Sequence, residues 1–288
     1  MEVIMRFLLG AILLSAAVVP CFAQAEPQIF SFKVGKIEVI TLVETRRDGG
    51  VPAHLIGADQ DMLDFYFPDG TSQSQINAFL VRNGRKNILI DTGFGTALFD
   101  NLKSLGVSPE SVSAVLMTHL HGDHIGGLAK DGKPLFPKAT VYLAAPEREY
   151  WTKTNVNPAA VAALEAYGKR VKTFNPAQLS GKPKKLLAGL FPIAAFGHTP
   201  GHTLFMIESQ KQKLLVIADL LHVEKIQFAR PDVSVTYDTD PVMAAETRRK
   251  VLEYAAVNNI PIAGMHVLYP SIGKVSADNT GFVFTPAK

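Results

Sequence analysis

The sequence predicts a four-layer α/β sandwich (αββα), in which two β-sheets pack face to face and helices cover their outer sides. Three observations carry this prediction. Short apolar runs rich in β-branched residues alternate with helical stretches, the same scheme recurs in the C-terminal half, and no low-complexity linker or fixed-period repeat divides the chain. With 47% apolar and 19% charged residues over 288 positions, the chain can bury a sizeable core and does not have the composition of a disordered one. A single domain over residues 26–288 is expected, preceded by a leader.

In the leader, Arg6 precedes an apolar run at 7–19, followed by Pro20 and small residues at Ala23 and Ala25. This is the pattern of a secretory signal peptide over residues 1–25. Its run of about 13 apolar residues is too short for a bilayer-spanning helix, which needs roughly 20. The mature protein is therefore expected to be periplasmic or secreted, with no membrane partner after cleavage. The single cysteine, Cys21, falls inside the leader, so the mature chain has no disulfide, thiolate ligand or cysteine nucleophile.

Residues 29–34 and 37–43 read as strands around the tight Gly35-Lys36 turn, and 75–81 with 87–91 as a second hairpin turning at Asn83-Gly84. Residues 96–105 read as a helix stopped by Gly106, and 112–118 as a buried strand. A strand at 140–143 and helices at 146–151 and 159–167 follow, the last ending at Gly168. The C-terminal half gives a hairpin from 204–208 and 213–218, a long helix at 241–257 and a strand at 262–265. Residues 51–72 stand apart, with little periodicity around Phe65-Tyr66-Phe67-Pro68. A loop of that length in a compact domain is usually functional. Phe65 and Phe67 are expected either to cover an apolar substrate or to plug the core.

The formal charge of +3, with Lys and Arg scattered, excludes nucleic acid as the expected partner and leaves a small molecule. The chemistry concentrates in Thr118-His119-Leu120-His121-Gly122-Asp123-His124, where three of the eight histidines fall within six residues. His119 and His121 lie two apart, so an extended turn points both into one cavity. Asp123 and His124 sit where the next helix begins and can aim at a neighbouring point. Neutral imidazole and carboxylate suit zinc, and also manganese, cobalt or iron. His54 has no motif around it and reads as an ordinary loop histidine.

The HxHxDH segment after a buried strand is followed by Gly197-His198-Thr199-Pro200-Gly201-His202, by Asp219 closing an apolar strand, and by a late His266. This order resembles the metallo-β-lactamase superfamily over roughly residues 75–270. The resemblance implies the αββα sandwich with two divalent metal ions between the sheets at one edge. It implies His119, His121 and His198 on the first ion, Asp123, His124 and His266 on the second, and Asp219 bridging both. Asp91, in Leu89-Ile90-Asp91-Thr92-Gly93, would then brace the ligand loop, and His202 would support the site without binding metal.

Further stretches, among them Ala218-Asp219-Leu220, Ile226-Gln227-Phe228, Pro231-Asp232-Val233-Ser234 and Tyr269-Pro270-Ser271-Ile272-Gly273, resemble the branch containing methyl parathion hydrolase and related lactonases. Trp151 matches a tryptophan lining the substrate pocket in that branch, whose members are often dimers, so a homodimer is admitted. The chain departs from the branch at Gly122, where proline is found, at Ala218, where glycine is usual, and at His222, where tyrosine or an aliphatic residue stands.

An aspartate at 219 favours lactonases, thioesterases and phosphotriesterases over β-lactam-opening enzymes, which commonly carry Cys or Ser nearby. The implied reaction is attack by a hydroxide shared between the two metals, with Asp123 orienting it and passing a proton to the leaving group. His222 either donates a hydrogen bond to the developing charge or packs near the metals without touching substrate. The expected function is a lactonase of acyl-homoserine-lactone type with promiscuous esterase activity. A phosphotriesterase or a β-lactamase is the alternative. A binding module that had lost its chemistry would be expected to lack some of the seven ligand positions, and none is missing.

Overall fold

Two sheets, each with its strands in chain order, organise the computed structural model, which describes residues 29–187 and 189–288. The leader expected at 1–25 lies outside the described residues. The first sheet runs β1 (Ile29–Val34), β2 (Ile37–Gly50), β3 (Thr71–Asn83), β4 (Lys86–Ile90), β5 (Val112–Leu116), β6 (Thr140–Ala144) and β7 (Val171–Phe174). Neighbours from β1 to β4 are antiparallel, whereas β4 to β7 are parallel and joined by helical crossovers. The second sheet runs β8 (Leu190–Ala194), β9 (Thr203–Ser209), β10 (Gln212–Ala218), β11 (Ile262–Gly264), β12 (Ile272–Asp278) and β13 (Gly281–Pro286). Its single parallel pair, β10 with β11, is bridged by the long helix Pro241–Val257.

The period-2 geometry of a strand explains the layering. On β3, Phe79 and Val81 enter the core between the sheets with Leu204, Leu215 and Ile217, while Ala78 and Leu80 face the outer helices with Leu98, Leu102 and Leu164. A strand buried on both faces must be apolar on both, which is why this segment reads as an unbroken apolar run. Val251, Leu252 and Ala255 of the long helix close the opposite outer face. The αββα sandwich follows.

Residues 51–72 are not structureless. Strand β2 extends to Gly50 and β3 begins at Thr71, so the two form long hairpin arms. Between them lie a two-residue strand, Leu55–Ile56, paired with Ser234–Val235, and a helix, Gln60–Tyr66, capped by the Asp59 carboxylate accepting from the Met62 N–H. Phe67 is buried against Val223, Ile226 and Val233, whereas Phe65 is 77% exposed. Of the two expectations for this aromatic run, the plug fits Phe67, and neither fits Phe65.

One buried carboxylate fixes the start of the helix Leu98–Ser104. Glu44 sits where the β2–β3 register shifts, and it accepts the backbone N–H groups of Gly95, Thr96, Ala97 and Leu98 as well as the Thr96 hydroxyl. These donors are orphaned at a helix N-terminus, where an anion is favoured by the helix dipole. Gly93 is required beside it, because its φ is +60° and a Cβ there would lie 2.0 Å from Glu44 Cγ. Glu44→Ala is expected to lower stability by about 3 kcal/mol, because it strands several buried donors at once. Urea unfolding followed by ellipticity measures this, and a loss below about 1 kcal/mol would mean the helix start is held by other contacts.

Candidate metal centre

Strand ends deliver the site. His119, His121, Asp123 and His124 follow β5, and Asp91 follows the adjacent parallel strand β4. Asp219 follows β10 and His266 follows its parallel neighbour β11. His198 and His202 flank the turn between β8 and β9. Parallel strands present their carboxyl ends together, so loops distant in sequence meet at one edge of the sandwich. Asp91 and Ala218 hold φ of 56° and 48°, a left-handed conformation costly for residues with a side chain and kept here by the surrounding bonds.

Two donor groups result, and they share one residue. Ligand atoms of His119, His121, His198 and Asp219 lie within 4.8 Å of one another, as do those of Asp123, His124, Asp219 and His266. In the first group, His198 Nε2 is 3.2 Å from His119 Nε2 and 3.0 Å from His121 Nδ1. In the second, Asp123 Oδ2 lies 3.6 Å from His124 Nε2 and 3.5 Å from His266 Nε2. Asp219 Oδ2 stands between the groups, 3.6 Å from His119, 3.5 Å from His198, 3.2 Å from His124 and 3.0 Å from His266.

The far nitrogens decide which lone pairs are free. His124 Nδ1 donates to Asp91 Oδ2 at 2.8 Å, His198 Nδ1 to Asp238 Oδ1 at 2.7 Å, and His266 Nδ1 to the Gln75 carbonyl at 2.9 Å. The Thr118 hydroxyl donates to Asp91 Oδ2 at 2.6 Å, so it can accept from His119 Nδ1 at 3.0 Å. Each of these rings therefore turns its Nε2 toward the others, leaving that atom to carry a proton or to bind a cation. His202 differs. Its Nδ1 donates to the Ala195 carbonyl at 2.9 Å and its Nε2 accepts the Asp219 N–H at 3.1 Å, so no lone pair remains for an ion. It fixes the backbone of the shared aspartate.

Divalent cations fit this donor set. Among the described residues, the buried side-chain N and O atoms without a hydrogen-bond partner are His124 Nε2, Asp219 Oδ1 and His222 Nδ1, all in this cluster. Burial, supported by the neighbouring imidazoles, holds His119 and His198 well below the usual histidine value, hence neutral and able to ligate. Burial opposes charge on His124 and His266 as well, but Asp219 and Asp123 overcome it and raise both. Burial likewise disfavours the Asp219 carboxylate, yet His124, His266 and His119 pull it well below the usual range. A fixed carboxylate surrounded by imidazole nitrogens is a cation site by its chemistry, a bound cation displacing the protons of His124 and His266, with zinc, manganese, cobalt and iron all compatible.

Several supporting residues carry no motif. Glu147 accepts from Leu120 N–H at 2.9 Å and Trp151 Nε1–H at 2.6 Å on one oxygen, and from the Thr199 hydroxyl at 2.6 Å and Gly201 N–H at 3.0 Å on the other. It thereby ties the loop bearing His119 and His121 to the loop bearing His198. Burial pushes this carboxyl up to about 7 against the pull of its four donors. Asp238 also accepts the Val235 N–H and lies 3.9 Å from Arg248, which is buried and donates to the carbonyls of Leu220, Pro231 and Val233. Asn77 and Gln75 hold the His266 loop through the carbonyls of Gly264 and Val267.

The remaining expected residues are placed as follows. Trp151, turned inward by a π-turn at Tyr150–Thr154, meets His121 edge-on at 5.3 Å and is 9% exposed. His222 Nε2 lies 3.1 Å from Asp219 Oδ2, and its ring packs against Tyr237, His198 and His266. His222 Nε2 thus meets the Asp219 carboxylate, while its Nδ1 has no hydrogen-bond partner and the residue lines a cavity with His266. Phe65 and Phe67 are not brought to the metal ligands. His54, expected to be an ordinary loop residue, stacks obliquely on Tyr237 at 5.2 Å and lines a cavity of about 510 Å³ with His222 and His266.

Comparison with known proteins agrees with this geometry. A family model described as the metallo-beta-lactamase superfamily matches residues 71–266. The solved hydrolase AbOPH of the beta lactamase superfamily superposes with a TM-score of 0.82 and 28% identity, covering 92% of this chain and 99% of that one. AidC, a dizinc quorum-quenching lactonase solved with N-hexanoyl-L-homoserine as product, gives 0.83 and 26%, covering 91% and 98%. An atrochrysone carboxyl ACP thioesterase of Passalora fulva is 36% identical over 104 residues, 32% of this chain and 30% of that protein. An N-acyl homoserine lactonase of Bacillus cereus is 25% identical over 150 residues, 52% of this chain and 54% of that protein. The matches thus span less than a third of the thioesterase and about half of the lactonase.

Substitutions separate ligands from supports. His198→Ala and Asp219→Ala are expected to lower bound metal, read by elemental analysis of purified protein, whereas His202→Ala leaves the stoichiometry near that of the parent. The reverse order for His198 and His202 would overturn the choice of ligand. Asp238→Ala should weaken metal affinity by about 10- to 100-fold, since it frees the His198 ring to rotate and change tautomer. An unchanged affinity in competition with a chelator would show that Asp238 does not orient His198.

Proposed function

The chain belongs to the metallo-β-lactamase superfamily, and on that premise we propose that it is a hydrolase using two divalent metal ions to open a small lactone of acyl-homoserine-lactone type, with accompanying esterase activity. The observation that carries the reading is Asp219, one carboxylate within reach of both donor groups. His119, His121 and His198 would hold one ion, and Asp123, His124 and His266 the other. The likeness to a dizinc lactonase over 91% of the chain supports the same choice of substrate. The signal-peptide pattern of residues 1–25 supports a periplasmic or secreted location.

When bound, the ions supply a Lewis acid for the substrate carbonyl and lower the pKa of coordinated water to about 7. The chain's own residues do the rest. Asp91, Thr118, Asp238 and Gln75 fix the tautomers, so the site needs no rearrangement to accept charge. Asp123 is the most exposed carboxylate of the cluster, with 22% of its side chain accessible, and His124 and His266 help keep it ionised despite burial. That places an acceptor at the rim to take the proton released on attack and return it to the leaving alkoxide oxygen. His222 and His202 hold Asp219 from its side-chain and backbone sides respectively.

Lactone opening releases acid, so a pH indicator follows it directly. Zinc-loaded protein is expected to turn over N-acyl homoserine lactones with a kcat/KM above about 10⁴ M⁻¹s⁻¹. A chelator should abolish this activity and added zinc restore it. Phosphotriesters, thioesters and β-lactams form the comparison panel. Efficiency on any of them a hundredfold above every lactone would replace the reading with that class.

A further inference from the structure

The cavity of about 510 Å³ that opens on His222 and His266 is walled by the extended β2–β3 hairpin, the segment at 51–54 and Tyr237. No leucine, phenylalanine, methionine or tryptophan lines it, and no aspartate or glutamate does. Apolar surface comes from Val51, Pro52, Ala53, Ile76, Val223 and Tyr237, enough to cover a short acyl chain but not to pair a charge. The polar part of the wall includes Thr45, Ser72, Ser74, the backbone at Gly49-Gly50, and a single permanently charged side chain, Arg47.

Arg47 occupies a defined position. Thr45 and Arg47 are two residues apart on β2 and share a face, paired across to Ile76 and Ser74 on β3. Between those partners lies Gln75, whose carbonyl holds His266 Nδ1 at 2.9 Å. The guanidinium is thus carried by the same stretch of ladder that orients a metal ligand. The neighbouring charges are already engaged, Arg46 with Gln73 at 3.2 Å and Asp48 with Gln73 at 2.8 Å. Among the described residues, the Arg47 side chain makes no hydrogen bond or ion pair. An unpaired guanidinium facing a cavity without carboxylates presents a planar fork suited to a carboxylate brought by a ligand.

We propose that Arg47 selects substrates whose acyl group ends in a carboxylate, so that the lactone or ester is held by its carbonyl at the metal centre and by its anionic end at Arg47. This rests on the hydrolase reading for the reacting end but not for the anionic end. A metal pair only partly neutralised by Asp123 and Asp219 adds to the attraction for an anion.

Two sets of measurements separate the claims. Calorimetry on zinc-loaded protein compares N-succinyl-homoserine with N-butanoyl-homoserine, which match in acyl chain length and differ in the terminal carboxylate. Turnover is measured on the two corresponding lactones. The succinyl compound is expected to bind about two- to fivefold more tightly, the scale of one solvent-accessible ion pair, and its lactone to have the lower KM. Arg47→Met should bring the binding ratio close to one, Arg47→Lys should keep part of it, and raised salt should shrink it. A ratio below twofold in the parent protein, or an equal loss for both ligands in Arg47→Met, overturns the proposal. If neither lactone is turned over while the binding preference persists and depends on Arg47, the lactonase reading fails and the anion site stands.

Discussion

The site depends on one electrostatic constraint. Nε2 atoms of His119, His124, His198, His222 and His266 all lie within 3.6 Å of Asp219 Oδ2. The far nitrogens of four of them are held by Thr118, Asp91, Asp238 and the Gln75 carbonyl, which fixes those rings with Nε2 toward the carboxylate. Asp219 and Asp123 favour a proton on His124 and His266 while burial keeps His119 and His198 neutral, and charge left unshielded is expensive where water is excluded. Cations would take the place of those protons and turn the cluster into a coordination shell. The arrangement is therefore kept in register by the surrounding fold, which sets these four rings by their far nitrogens.

How the fold does this can be traced outward. Asp91 sits in a left-handed conformation because its carboxylate takes the Thr118 N–H and hydroxyl as well as the His124 ring, tying the ends of β4 and β5 together. Ala218 is held likewise, with the following N–H given to His202. Glu147 joins the two histidine loops through four donors, and Gly201 can carry no Cβ there, since one would lie 2.2 Å from the Glu147 nitrogen. Each support is a buried polar group whose partners come from a different loop, so loss of one partner leaves an unpaired group in a dry place. Removing a support should therefore be felt in metal affinity as well as in folding.

Much of this was legible in the residues. Ligand candidates cluster in HxHxDH and Gly-His-Thr-Pro-Gly-His, and strands buried on both faces, such as β3, carry a strong apolar signal. The supports were not legible for a physical reason. Asp238, Glu147 and Arg248 are single polar residues whose role exists only across sequence separations such as the 40 residues from His198 to Asp238, and no local pattern records such a pairing. His54 lacked a motif and was discounted, although the fold carries it to the cavity beside Tyr237. The aromatic run at 65–67 was read as a cover or a plug because periodicity over one short helix cannot tell which ring faces inward. In the structure Phe67 turns in and Phe65 turns out.

Where these rings point changes what the site can hold. An aromatic lid over the metals would make an apolar acyl chain the natural ligand, with affinity growing by about 0.8 kcal/mol for each methylene buried. Phe67 is instead consumed in a satellite core with Val223 and Ile226, and its neighbour Lys225 lies 5.2 Å from its ring. The same insertion leaves long β2 and β3 arms whose ladder passes directly from His266's carbonyl partner to the cavity wall that carries Arg47. Selectivity and ligand orientation are thus set by one piece of backbone. A shift in the β2–β3 register by a single residue would reverse every side chain on that wall and exchange Arg47 for a neighbour already bound to Gln73.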